Sequence, residues 1–223
     1  GYLVIDIDLD LIKLVKKFVG ESLYKNIFPE KVLDISSNYF DISLEFLKNN
    51  NSFTFTRYSR TIDKNRIIKN KKFILNKISQ SILKPTHLVN NDLYYRVVRK
   101  DVSQEISVIH RDVYFHNIQD EWTPKKNVFD LKFWFPLYQE ENKTLGVIPN
   151  SHLDKEFNDV TYEEKNGKKI SFKCRHKIKD LTPVEVNLGQ ALVFPSTLIH
   201  GSLEKSFISN LRVSSEFTLG YAF

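Results

Sequence analysis

The sequence predicts a mainly β protein whose first third is helical. Three observations carry that reading. From Asp92 onward the apolar stretches are short, rich in β-branched and aromatic residues and separated by turn-like stretches, the pattern of a sandwich, jelly roll or barrel. Before Asp92 the apolar residues recur at helical spacing. With 223 residues, 41% hydrophobic and 13% aromatic, the chain can bury one sizeable core. The expected organisation is a single domain over 1–223, in which 1–91 is mainly helical support and 92–223 is the β core, interrupted by an insertion at 153–182.

Taken in order, Asp10 is placed to cap a helix over Leu11 to Val19 that ends at Gly20, with Leu11, Leu14, Val15 and Phe18 on one face. A second helix starts near Pro29, whose fixed φ suits a first turn, and runs to Asn49; its candidate buried positions include Val32, Ile35, Phe40, Ile42, Leu44 and Leu47. The third covers Asp63 to Leu83 and stops before Pro85. Strands follow at Leu93–Arg99, Glu105–His110, Val128–Tyr138, Thr144–Pro149, Ile170–Cys174, Val184–Leu188, Ala191–Phe194, Leu198–Ser202 and Leu211–Leu219. Within the charged stretch 153–182, Asn166-Gly167 is a strong hairpin signal, and the hairpin is a candidate lid.

Composition removes several function classes. One Cys, Cys174, excludes an internal disulfide framework and a Cys-rich zinc site, which suits a reducing, cytoplasmic setting. Apolar runs are strand-sized, too short for a membrane helix, and Asp6, Asp8 and Asp10 interrupt any leader-like run at the start. The chain begins at Gly1 and has no Met, as a piece of a longer protein would. The net charge of +6 invites a nucleic-acid reading, but the basic run from Lys64 to Lys77 is interleaved with apolar residues at helical spacing, the mark of a solvated helix face. No nucleic-acid partner is expected, and the charge favours an anionic small molecule instead.

His110 and Asp112 stand two residues apart at the end of an apolar run. In extended chain, side chains at i and i+2 share a face, so an imidazole and a carboxylate at that spacing can grip one metal ion. Alone the pair is weak. His200, on the apolar run Leu198–Ser202, supplies a second nitrogen, and two imidazoles with one carboxylate are the set used by non-haem Fe(II) oxygenases. Arg212, framed by Leu211 and Val213, offers a fork for a carboxylate, and Ser214 shares its face. Arg111, His116 and Trp134 are candidate substrate contacts, each near a ligand in sequence.

Four ordered stretches then resemble one family. They are His110-Arg111-Asp112; Phe133 to Leu137 followed by Thr144 to His152; Asn187 to Phe194; and His200-Gly201-Ser202 with Asn210-Leu211-Arg212-Val213-Ser214. Together they are similar to the phytanoyl-CoA dioxygenase-like branch of the Fe(II)- and 2-oxoglutarate-dependent oxygenases, over about Asp92 to Phe223. Asn150 departs from the family's usual Gly and Gln190 from its frequent Asp. The resemblance implies a double-stranded β-helix (a cupin-like jelly roll) with helices packed on it, iron held by His110, Asp112 and His200, and 2-oxoglutarate held by Arg212 and Ser214. It further implies O2 as co-substrate and hydroxylation of a small molecule with release of succinate and carbon dioxide, since related halogenases have a small residue in place of the acid. The competing reading is a non-catalytic β-barrel binding protein that retains the fold.

Overall fold

The computed structural model describes residues 1–34, 37–55, 60–79, 83–116, 118, 128–140, 143–154, 156–203 and 210–222. A short strand, β1 (Leu3–Asp6), lies inside the stretch expected to be helical. Helix α1 (Leu9–Ile27) follows, capped by Asp8 rather than Asp10: the Asp8 carboxylate accepts from the Asp10 N–H at 2.7 Å. Gly20 does not end this helix. It is buried where α1 crosses α2 (Tyr39–Asn49), and a Cβ there would stand 2.6 Å from the Phe40 nitrogen. Glycine at this position serves close packing, so its helix penalty of about 1 kcal/mol is offset by the contact between the helices.

The second helix begins at Tyr39 and not near Pro29, with Asn38 accepting from the Asp41 N–H. Phe40, Leu44 and Leu47 are buried as expected, whereas Val32 is 92% exposed and Ile42 is exposed; Ile35 lies outside the described residues. Helix α3 is Lys64–Ser79, and residues 80–82 of the stretch expected to be helical lie outside the described residues. Lys77 of α3 reaches Asp8 at 3.0 Å and Asp10 at 3.1 Å, tying the start of α1 to the end of α3. No helix among the described residues is long and apolar enough to cross a membrane.

The β part contains β2 (His87–Arg99), a single helical turn α4 (Val113–His116), β3 (Val128–Gln139), β4 (Lys143–Val147), β5 (Val160–Lys165), β6 (Lys168–Cys174), β7 (Thr182–Glu185), β8 (Gln190–Pro195), β9 (His200–Gly201) and β10 (Leu211–Ala222). One antiparallel sheet has the order β1-β8-β3-β10-β2, a second has β7-β4-β9, and β5-β6 is a separate hairpin. This is a jelly roll with helices against it. The hairpin turns at Asn166 and Gly167, both at positive φ (53° and 72°), as a two-residue turn between twisted strands requires.

The strand expected at Val184–Leu188 shifts to β7 (Thr182–Glu185), and two further strand expectations fail or shrink. Residues 105–110 form no strand: a 3-10 turn at Ser103–Glu105 gives way to irregular chain that meets a sheet only through a bridge from His110 to His200. Glu105 is the cause, being buried and bonded to Arg99 through its backbone N–H and guanidinium, which folds the chain back onto the end of β2. The apolar run does not mark burial either, since Val108 is 65% exposed. Likewise the strand expected at 198–202 shortens to His200–Gly201.

Alternation along the long strands creates two different faces. Leu93, Tyr95 and Val97 of β2, Phe133, Phe135 and Leu137 of β3, and Leu211, Val213, Phe217 and Leu219 of β10 join α1 and α2 in one apolar core. The intervening residues point inward, towards the second sheet: Trp134, Leu192 and Phe194 pack there with Leu145, Val147 and Val184. Each fully buried aliphatic or aromatic side chain on the outer face contributes roughly 1.5–3 kcal/mol, which lets the inner face carry polar residues. Gly20→Ala is expected to lower the unfolding free energy by about 1–3 kcal/mol, because the Phe40 backbone cannot move aside. Urea denaturation measures this, and an unchanged midpoint would contradict the packing described for Gly20.

Candidate active site

His110, Asp112 and His200 come together although they lie on different pieces of chain. His110 ends the irregular segment after β2, Asp112 directly precedes α4, and His200 begins β9. The two histidines exchange backbone hydrogen bonds, each N–H donating to the other's carbonyl at 2.9 Å. Gly201 permits this approach, since a Cβ there would stand 3.0 Å from the Ile109 Cα. Donor atoms of the three side chains lie within 4.8 Å of one another and could hold a metal ion. Both imidazole Nε2 atoms are 3.8 Å from an oxygen of Asp112.

The ring orientation is fixed from behind. His110 Nδ1 sits 2.8 Å from the Val108 carbonyl and His200 Nδ1 3.0 Å from the Leu198 carbonyl, so each Nδ1 carries the proton and each Nε2 presents its lone pair to the centre. Burial, then the nearby His200, pushes the His110 imidazole down to about 3 against the pull of Asp112, keeping it neutral at neutral pH as a ligand must be. The donor set, two anchored imidazoles and one carboxylate, fits a divalent ion with open positions.

Beside the triad, the inner face of the large sheet is polar. Arg212 and Ser214 of β10 stand opposite Val98 and Arg96 of β2. Arg212 is buried with its guanidinium 5.5 Å from the centre of the Trp134 ring, and burial together with Arg96 pulls it down to about 9, which still leaves it charged at neutral pH. The Ser214 hydroxyl is buried without a hydrogen-bond partner among the described residues, an orphan that an incoming carboxylate would satisfy. Arg96, Trp134, Arg212 and Ser214 line one cavity of about 1600 Å³ that also contains the triad.

Lys132 was not singled out in the sequence. Its ammonium is buried 3.8 Å from Asp112 and 3.3 Å from Glu216. Burial opposes its charge, but Asp112 and Glu216 more than offset this and hold it protonated. The signal was present, since Lys132 precedes Trp134 by two and therefore shares its inward face. Arg96 and Glu216 are found by the same rule. The helical part also contributes to the cavity wall through Glu21, Ser22 and Asn26 of α1, so its role is wider than the packing expected for it.

Arg111 does not line the cavity. Its guanidinium is buried and donates to Asp159 at 2.9 Å, to the Tyr114 hydroxyl at 3.1 Å, and to the carbonyls of Ser151 and Thr197. It is a clamp between the triad segment and the start of the β5–β6 hairpin, a different place from the substrate contact expected for it. The same hairpin sets Phe172 against Phe115, Tyr114 and His110, with ring centres 4.9, 5.3 and 6.4 Å apart, so its inner face covers one side of the centre. Trp134 is in the cavity wall; the His116 side chain and residues 119–127 lie outside the described residues. Asn150, where the family pattern has Gly, adopts φ 64°, a left-handed conformation that Asn tolerates better than most residues.

A jelly roll holding a two-histidine, one-carboxylate cluster with a buried arginine on a neighbouring strand defines a non-haem metal oxygenase. The phytanoyl-CoA dioxygenase (PhyH) family matches residues 40–206, and the chain belongs to that family. Its members use Fe(II), 2-oxoglutarate and O2. No curated protein sequence matches significantly. Among solved structures, AviO1 from Streptomyces viridochromogenes Tue57 is similar at 11% identity and TM-score 0.51, over 99% of this chain and 90% of that one, a likeness of fold. EvdO2 from Micromonospora carbonacea var. aurantiaca matches at 11% identity and TM-score 0.48, over 100% and 86%. EctD from S. alaskensis with 2-oxoglutarate and 5-hydroxyectoine matches at 14% identity and TM-score 0.47, over 98% and 71%.

Two outcomes follow from this geometry. The unfolded chain accepts a proton on His110 near 6.5 and the folded one resists it down to about 3, so the metal-free protein loses stability as pH falls below 6.5. The loss reaches at most about 1.4 kcal/mol per pH unit, and His110→Gln flattens it; urea titrations between about pH 7 and about pH 5 compare the two slopes. Arg111→Met leaves the Asp159 carboxylate with only Tyr114 and His176 beside it and frees the Ser151 and Thr197 carbonyls, and is expected to cost about 3–5 kcal/mol in the same assay. A loss below about 1 kcal/mol would remove the clamp from the account.

Proposed function

We propose that this oxygenase hydroxylates an unactivated C–H bond of a small molecule, releasing succinate and carbon dioxide from 2-oxoglutarate. The observation that carries the reading is the shared cavity: the His110, Asp112 and His200 donors, the buried Arg212 and the orphaned Ser214 hydroxyl all face it. His110, Asp112 and His200 would hold the iron, and Arg212 with Ser214 the far carboxylate of the oxo acid. When bound, iron and oxo acid supply with oxygen the power to oxidise carbon that no protein side chain has.

The chain's own residues supply position and exclusion. The Val108 and Leu198 carbonyls keep both Nε2 lone pairs aimed inward. Lys132 partly balances the Asp112 carboxylate and holds it in place. Trp134, Leu145 and Phe194 form an apolar wall of the cavity next to Arg212, and Phe115 stands on the hairpin side; both keep water from the reacting centre. Because Asp112 fills the acid position, no site is kept for a halide, which favours hydroxylation over halogenation.

Succinate formation from 2-oxoglutarate tests the reading. Wild type is expected to form succinate only with Fe(II) and oxygen present, and His110→Ala or Asp112→Ala to abolish it. Arg212→Ala is expected to raise the oxo-acid concentration needed by about 10- to 100-fold, the worth of a charge-assisted hydrogen-bond pair. Succinate formation untouched by His110→Ala would overturn the assignment.

A further inference from the structure

Beyond the triad, the cavity continues outward between β2 and the helical part of the chain. Its walls hold seven Lys and Arg residues against five Asp and Glu residues. Most of these charges already have a use. Glu21 pairs with Arg66, Asp92 with Lys64 at 3.3 Å, and Glu216 with Lys132 at 3.3 Å. Asp63 accepts from the Asn65 N–H at the start of α3, Asp112 belongs to the triad, and Lys25 is exposed on α1. With Arg212 reserved for the oxo acid, Arg60 and Arg96 remain. Among the described residues neither has an ion pair or a side-chain hydrogen bond, and the Arg60 Nε is buried without a partner.

The backbone brings these two together. Thr61 bridges to Tyr94, and the Ile62 N–H donates to the Leu93 carbonyl at 3.0 Å, so the segment carrying Arg60 lies along β2 next to Arg96. Arg96 points inward opposite Ser214, within electrostatic reach of Glu216, Arg60, Asp112 and His110. Two guanidiniums confined in one cavity wall repel each other and have lost water, a cost that Glu216 and Asp112, which also face Lys132, do not fully offset at Arg96 and that a bridging anion removes. Arg forks suit carboxylate and phosphate oxygens in particular.

We propose that Arg60 and Arg96 form the anion-binding end of the substrate site, and that the substrate is a small molecule bearing a carboxylate or phosphate group. The group sits on these two side chains while the carbon chain runs past Phe115 towards the triad. The proposal rests on the oxygenase reading only in naming the bound molecule as substrate. Anion binding itself needs neither iron nor oxo acid.

Calorimetric titration of the full chain with hexanoate, hexyl phosphate and hexanamide tests it, on metal-free protein and on protein loaded with Fe(II) and 2-oxoglutarate under argon. At least one anion is expected to bind about tenfold or more tightly than the amide, the tighter of the two anions identifying the group. Arg60→Gln and Arg96→Gln should each weaken that anion by about tenfold or more, with 2-oxoglutarate affinity unchanged in Arg60→Gln, and Lys13→Gln on the exposed face of α1 should do nothing. The proposal is overturned if neither anion binds, if the amide binds as tightly, or if Arg60→Gln has no effect. Arg60-dependent anion binding by a chain that takes up no iron or oxo acid would instead sink the oxygenase reading and leave the anion site standing.

Discussion

The reciprocal hydrogen bonds between the His110 and His200 backbones join two segments far apart in sequence, and the whole site depends on that junction. Neither segment is a substantial strand. One is irregular chain held down by the buried Arg99–Glu105 pair, the other a two-residue strand beside Gly201. Because the pairing fixes both Cα positions and the Val108 and Leu198 carbonyls fix both rings, the two Nε2 atoms have little choice but to meet Asp112. A bulkier residue at 201 would separate them.

Around this junction the large sheet does two jobs on its two faces. The outward residues of β2, β3 and β10 bury against α1 and α2, and that apolar contact stabilises a sheet whose inward residues are unfavourable to bury. Lys132, Arg96, Arg212, Glu216 and Ser214 all stand on the inward side of those strands. Charges so placed cost free energy to bury, and the acids proposed to bind there would offset part of that cost. The helices therefore act on function twice, by stabilising the outer face and by walling the outer cavity.

Much of this was legible in the sequence, and what was not has identifiable causes. Period-two alternation located β3 and β10, and the His110, Asp112, His200 and Arg212 pattern pointed to residues that the fold does bring to one cavity. The i, i+2 argument singled out a pair that the fold does bring together, but through a wrong local structure, because Glu105 turns the chain out of the strand that its neighbours favour. Gly20 and Pro29 look like helix punctuation in the sequence, whereas Gly20 answers to Phe40 across a helix crossing that no local pattern reveals. Arg111 adjoins two ligands in sequence yet turns to Asp159, a partner set by the hairpin. Arg60 lies in a connector with no periodic signal, and only its docking along β2 shows where it goes.

The most direct test of the account is an anaerobic titration of the metal-free protein with Fe(II) and 2-oxoglutarate, following the visible metal-to-ligand charge-transfer band. The account predicts a band in wild type that is lost in His110→Ala and needs more oxo acid in Arg212→Ala. A wild-type chain that gives no band, or a band indifferent to His110→Ala, would contradict it.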